Sequence, residues 1–166
     1  MTAPPKLLYI DDDPALARLV ERGLTRQGIE VEHAADGASG ISRIRLGGID
    51  VVALDQHMPG LDGLETLEQI NSIPGAPPVV FVTASQDSQI AITARKAGAA
   101  DYLVKDTQGE FVALLHVAAT SALEAARVRK ARDDAEADVH ASRDRCAALA
   151  AGREVLLREV NHRVGN

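Results

Sequence analysis

Short apolar runs alternate with amphipathic stretches along residues 6–108, and that alternation leaves few folds open. The strand candidates are Lys6–Asp11, Ile29–Ala34, Ile49–Asp55, Val79–Thr83 and Asp101–Lys105. Three of them are continuous Val/Ile/Leu-type runs, as expected for strands covered on both faces. The second, Ile29-Glu30-Val31-Glu32-His33-Ala34, alternates strictly and reads as a half-exposed edge strand. Between them the spacing predicts helices over Pro14–Gln27, with a stripe of Leu16, Leu19, Val20 and Leu24, and over Ala38–Leu46, which has a poor start signal. Further helices are predicted over Leu61–Ile73, and over Asp87–Ala97 with Asp87 as N-cap and Ile90, Ala91 and Ala94 as its stripe. The order βαβαβαβαβ followed by a helix implies a parallel sheet with helices on both sides.

Acids sit where such a sheet places ligands. Asp11-Asp12-Asp13 ends the run Leu7–Ile10, and Asp55 ends the run Val51–Leu54. Strand C-terminal ends of an open parallel sheet converge on one rim. Carboxylates gathered there are costly unless a cation joins them. The arrangement asks for a hard divalent ion such as Mg²⁺, and Mg²⁺ asks for phosphate. Asp13-Pro14 fits the N-cap and first residue of the first helix.

Composition narrows the class. The chain has 166 residues, 46% hydrophobic and 25% charged, enough for one domain and an appendage. Its net charge of −6 and its four aromatics, Tyr9, Phe81, Tyr102 and Phe111, argue against a nucleic-acid partner. A single cysteine, Cys146, fits a reducing cytoplasm, and the start of the chain shows no signal peptide. No apolar stretch approaches the ~20 residues of a membrane span.

The texture changes after Thr107-Gln108-Gly109. From Glu110 to Val164 there is one glycine and no proline. Spacings of three and four pick out Phe111, Leu114, Ala118, Ser121, Ala125, Val128, Arg132, Ala135, Val139, Ser142, Cys146, Leu149, Arg153, Leu156 and Val160. Eleven of these fifteen are apolar, a coiled-coil seam weakened by Arg132 and Arg153. A helix this long spans roughly 75–80 Å and needs a partner helix, which a homodimer supplies. His33, His116 and His140 belong to no motif and read as structural or solvated.

Residues 6–120 resemble the receiver domain of bacterial response regulators. The motifs are Leu7-Leu8-Tyr9-Ile10-Asp11-Asp12-Asp13-Pro14, Asp55-Gln56-His57-Met58-Pro59-Gly60 with Asp62-Gly63, Val82-Thr83-Ala84, and Ala97-Gly98-Ala99-Ala100-Asp101-Tyr102-Leu103-Val104-Lys105. The resemblance implies a flavodoxin-like doubly wound α/β fold, a five-stranded parallel sheet in order 2-1-3-4-5. It implies that Asp55 accepts a phosphoryl group from a phosphohistidine. Asp11, Asp12, Asp55 and the His57 backbone carbonyl would hold Mg²⁺, which offsets charge on the transferring oxygens. Thr83 would bond a phosphoryl oxygen, Lys105 would pair with Asp55 or its phosphate, and Tyr102 would be the aromatic that follows Thr83. Gly60 and Gly63 would allow a tight turn. Asp106 stands where the family usually has a proline with a cis bond, which would cost ~2.5–4 kcal/mol here.

Residues 156–166 carry a second resemblance, to the phosphoacceptor box of a histidine-kinase subgroup of the HWE type. Glu159, His162, Arg163 and Asn166 match its Glu-x-x-His-Arg-x-x-Asn pattern, while Gly165 departs from it. With Val160 in the seam, His162 points outward, as a phosphoacceptor must. The implied organisation is a receiver (1–120), a coiled-coil signalling helix (121–155) and the truncated start of a kinase phosphoacceptor helix (156–166). Its implied role is two-component phosphorelay signalling, with the receiver regulating a kinase and phosphorylated by a phosphohistidine donor or by the parent kinase's own core. Two rivals stand beside it: a dimerising adaptor with a silent His162, and a Mg²⁺-dependent phosphohydrolase. The latter is disfavoured because such enzymes place Asp-x-Asp on the first strand.

Overall fold

The structure is a computed structural model and describes residues 2–106 and 109–164. Among the described residues five strands and five helices alternate: β1 (Lys6–Ile10), α1 (Pro14–Thr25), β2 (Glu30–Ala34), α2 (Gly37–Arg45), β3 (Val51–Asp55), α3 (Gly63–Asn71), β4 (Val79–Thr83), α4 (Ser88–Lys96), β5 (Asp101–Val104) and α5 (Phe111–Val164). The strands form one parallel sheet in the order β2-β1-β3-β4-β5. The expected fold is therefore present, with the alternating strand β2 at one edge.

Alternation along the central strands divides the core in two. Leu7, Tyr9, Val51, Ala53, Val80 and Val82 pack with Val20 and Leu24 of α1 and with Phe111, Leu115, Ala118 and Ala122 of α5. Leu8, Ile10, Val52, Leu54, Val79 and Phe81 pack with residues of α2, α3 and α4, among them Ile41, Leu67, Ile70 and Ala94. Each large apolar side chain fully buried this way contributes ~1.5–3 kcal/mol. That burial holds the strand ends, and the acids on them, in fixed register.

Helix starts are set by aspartates. Asp13 accepts from the Ala15 and Leu16 amides ahead of Pro14, as the sequence indicates, and Asp87 caps α4. The second helix does have a start signal: Asp36 accepts from the Ser39 amide, so α2 opens at Gly37. The third begins at Gly63, not Leu61, because Asp62 and Glu65 form a reciprocal capping box. In α1, Leu19 is 54% exposed, and Ala17 takes the core position expected of it. In α4 the buried member of the expected stripe is Ala94, while Ile90 and Ala91 are half-buried.

The chain divides into two compact units, Met1–Ala126 and Arg127–Asn166. Within the first, Phe111 and Ala118, the opening members of the expected seam, lie in the sheet's core. Within the second, every residue from 127 to 163 is exposed, including Val128, Val139, Leu149, Leu156 and Val160 of the seam. By length and composition alone α5 is long and apolar enough to cross a membrane, a test that core helices also pass. Its apolar richness has a use in the fold: Phe111, Leu115, Ala118, Ala119 and Ala122 cover the sheet.

Candidate functional site

The rim at the C-terminal ends of β1 and β3 gathers the expected acids. One carboxylate oxygen each from Asp11, Asp12 and Asp55 lies within 4.8 Å of the other two. Parallel pairing of β1 with β3, Ile10 opposite Leu54, brings the acids that end these strands together. Asp11 and Asp55 are buried, while Asp12 opens the cluster to solvent.

A single ammonium spans the two buried acids. Lys105 Nζ donates to Asp11 Oδ2 at 2.6 Å and lies 3.0 Å from Asp55 Oδ1. It follows β5 directly, and its backbone amide donates to the Thr83 carbonyl at 2.7 Å. Lys105 thus reaches the site without a cis bond, since every peptide bond among the described residues is trans. Burial would lower the Lys105 pKa, but Asp11 and Asp55 outweigh it and hold the ammonium above 10.5. Asp55 is raised above 3.8, first by burial and further by the Asp11 charge, against the pull of Lys105 and of the His57 amide.

The hydrogen-bond inventory of Asp55 is incomplete. Oδ2 accepts from the His57 backbone amide at 3.2 Å, and buried Oδ1 has no partner among the described residues besides the Lys105 ammonium at 3.0 Å. Three hard oxygen donors, two on buried carboxylates and one on the exposed Asp12, suit Mg²⁺, which binds through carboxylates and keeps waters.

Thr83 ends β4 on the same rim, buried, with its Oγ1 accepting from the Ser85 amide at 3.2 Å. Tyr102 lies on edge strand β5, stacked on Phe81 with ring centroids 6.3 Å apart. Its hydroxyl donates to the Ser85 carbonyl at 3.0 Å. The two expected switch residues are therefore joined through the backbone of Ser85, which sequence reasoning did not single out. His162 is exposed near the end of α5, in the second unit, and Glu159 and Arg163 share that helix; Gly165 and Asn166 lie outside the described residues. Thr107 and Gln108, which mark the change of texture, also lie outside them.

Two further residues hold Asp11 and were not anticipated. His33 Nε2 donates to the Asp11 carbonyl at 2.7 Å, and Tyr9 donates its hydroxyl to Asp11 Oδ2, also at 2.7 Å. The signal for Tyr9 was present: residues two apart on a strand share a face. Gly60 turns the loop after β3 with φ 84°, as expected, but Gly63 serves close approach instead. A Cβ there would lie 2.5 Å from the Asp55 carbonyl oxygen.

Comparison with known proteins agrees with this geometry. The family model of the response regulator receiver domain matches residues 7–116. The chain is similar to the transcriptional regulatory protein AfsQ1 of Streptomyces coelicolor, 38% identical over 105 residues, which cover 63% of this chain and 46% of that protein. It is 37% identical over 103 residues to the transcriptional regulatory protein TrcR of Mycobacterium tuberculosis, covering 62% of this chain and 40% of that one. It spans less than half the length of either relative. The solved receiver domain from Clostridium thermocellum superposes with a TM-score of 0.67 at 30% identity, covering 75% of this chain and 98% of that one. A five-stranded sheet in this order, acids ending its first and third strands, a lysine after its fifth and a family match over most of the first unit lead to one conclusion: the chain belongs to the response regulator receiver domain family of two-component signalling.

Proposed function

We propose that the receiver accepts a phosphoryl group on Asp55 in a Mg²⁺-dependent phosphorelay, and that it regulates a histidine kinase through a dimeric α5. The observation that carries the first part is the Asp11–Asp12–Asp55 cluster with Lys105 laid across its two buried members. An Asp55 oxygen forms the new P–O bond as the donor's P–N bond breaks, and the imidazole leaves with a proton. Asp11, Asp12, Asp55 and the His57 carbonyl would hold Mg²⁺, which would supply charge compensation for the transferring oxygens. Lys105 pairs with the phosphoryl group once Asp55 is esterified, and Thr83 donates its hydroxyl to it. The Ser85 link then passes the movement of Thr83 to Tyr102.

The second part rests on α5. Its seam residues from Val128 onward are exposed, and a second copy of the same helix would cover them. His162 is exposed two residues after Val160, and an exposed imidazole is what a kinase phosphoacceptor needs. The competing reading is a dimerising adaptor in which His162 is silent, favoured by the same exposed seam.

Acetyl phosphate with Mg²⁺ should add one phosphoryl group, mapped to the Asp55 peptide and missing from Asp55→Asn; labelling elsewhere would sink the first part. Sedimentation of the chain beside a form ending at Ala126 tests the second, with a dimer expected for the former and a monomer for the latter. Phosphotransfer to His162 from a separately supplied kinase ATP-binding domain separates kinase from adaptor.

A further inference from the structure

We infer that Tyr9 is a positioning residue for the metal-binding acid Asp11, an inference that rests on the Mg²⁺ reading above. Tyr9 is fully buried in the core cluster shared by α1, α5 and the sheet. A phenylalanine would fill that volume equally well, so the hydroxyl needs its own explanation. A buried hydroxyl needs a hydrogen-bond partner. The partner here is Asp11 Oδ2 at 2.7 Å, and among the described residues the hydroxyl makes no other hydrogen bond.

The same oxygen accepts from Lys105 at 2.6 Å, while Oδ1 accepts from the Asp13 amide at 2.9 Å. The Asp11 carboxylate is thus held by three donors of different permanence. The Asp13 amide is fixed by the turn into α1. Lys105 is shared with Asp55 and sits on a flexible stem, so it is available to follow a phosphoryl group on Asp55. Tyr9 is anchored by its ring in the core and stays. When Lys105 is drawn towards Asp55, the Tyr9 hydroxyl keeps the buried Asp11 carboxylate bonded and oriented in the cluster.

Donors behind a ligating carboxylate usually change metal affinity by about 10–100-fold when removed. Tyr9→Phe should therefore weaken Mg²⁺ binding about tenfold in calorimetric titration with the metal alone. Labelling by acetyl phosphate should slow at low Mg²⁺ and recover when Mg²⁺ is saturating. A residue that merely fills the core would not produce that split. In an Asp11→Asn background, Tyr9→Phe should cause no further loss of Mg²⁺ affinity. In EDTA, unfolding midpoints should show Tyr9→Phe costing more in Lys105→Ala than in the wild type, because Asp11 then depends on fewer donors.

Wild-type Mg²⁺ affinity in Tyr9→Phe, or an equal loss in the Asp11→Asn background, would overturn this inference and leave the metal reading standing. If the wild type itself takes up no Mg²⁺, both fall together.

Discussion

Lys105 Nζ lies 3.0 Å from Asp55 Oδ1 and 2.6 Å from Asp11 Oδ2, so one ammonium serves both buried acids. The shorter contact goes to Asp11 Oδ2, and among the described residues Asp55 Oδ1 has no partner besides this ammonium. Asp55 is therefore compensated in charge and open in coordination, the condition a nucleophile needs before metal and phosphate arrive.

Removing the lysine should expose the conflict among the acids. In Lys105→Ala, two buried carboxylates lose their shared cation, and breaking a buried pair costs about 3–5 kcal/mol. Lys105 keeps some solvent contact, with 17% of its side chain exposed, so the low end of that range applies. Denaturant unfolding in EDTA checks this, and added Mg²⁺ should restore more stability to the variant than to the wild type.

Mg²⁺ binding should weaken on the acid side earlier than for an ordinary carboxylate site. Asp55 is raised above 3.8, so protons compete for it at a higher pH than for a solvated aspartate. In the metal-free fold the raised value has a definite sign: its contribution to stability is present below 3.8 and is lost as pH rises through the folded value. Metal-free protein should gain from mild acid through this group, whereas the Mg²⁺ form should lose. Calorimetric Mg²⁺ titrations across a pH series check it; affinity independent of pH down to 3.8 would contradict it.

Both tyrosines should resist ionisation in alkali. Burial, then the bond to Asp11, pushes Tyr9 far above 10.0, and burial, then the Asp87 charge, raises Tyr102. Their contribution to stability is complete below 10.0 and is lost as pH rises through the folded values. Phenolate absorbance should therefore lag behind that of the denatured chain, with the buried Tyr9 ionising only as the fold opens. A titration near 10.0 in the folded protein would contradict this.

Gly63→Ala should disturb the nucleophile from behind. The added methyl would lie 2.5 Å from the Asp55 carbonyl oxygen and 2.7 Å from Gln56 Cα, both backbone atoms with little freedom to yield. Overpacking of this kind costs about 1–3 kcal/mol. A lower unfolding midpoint and slower acetyl phosphate labelling are expected, and a variant unchanged in both would show that the loop gives way.

Much of this was legible along the chain. Apolar runs such as Val51–Leu54 and Val79–Val82, bounded by turn residues, fit strands buried on both faces, and their alternation with helices points to a parallel sheet. The acid ends of β1 and β3, Lys105 and Thr83 followed from motif order. Legibility failed where one position satisfies two partners. Leu19 suited the stripe of α1 as well as Ala17 did, and tertiary packing chose the smaller residue. Phe111 and Ala118 fit a coiled-coil seam, yet the sheet claimed them.

The sequence by itself determined the sheet, its rim and the identity of the acids, because period and strand-end position are local properties of a chain. Tertiary structure alone decided the bonds between elements: that Lys105 favours Asp11 over Asp55, and that Ser85 joins Thr83 to Tyr102. Hydrogen bonds depend on distances of tenths of an ångström between side chains on different strands, and no spacing along one strand encodes them.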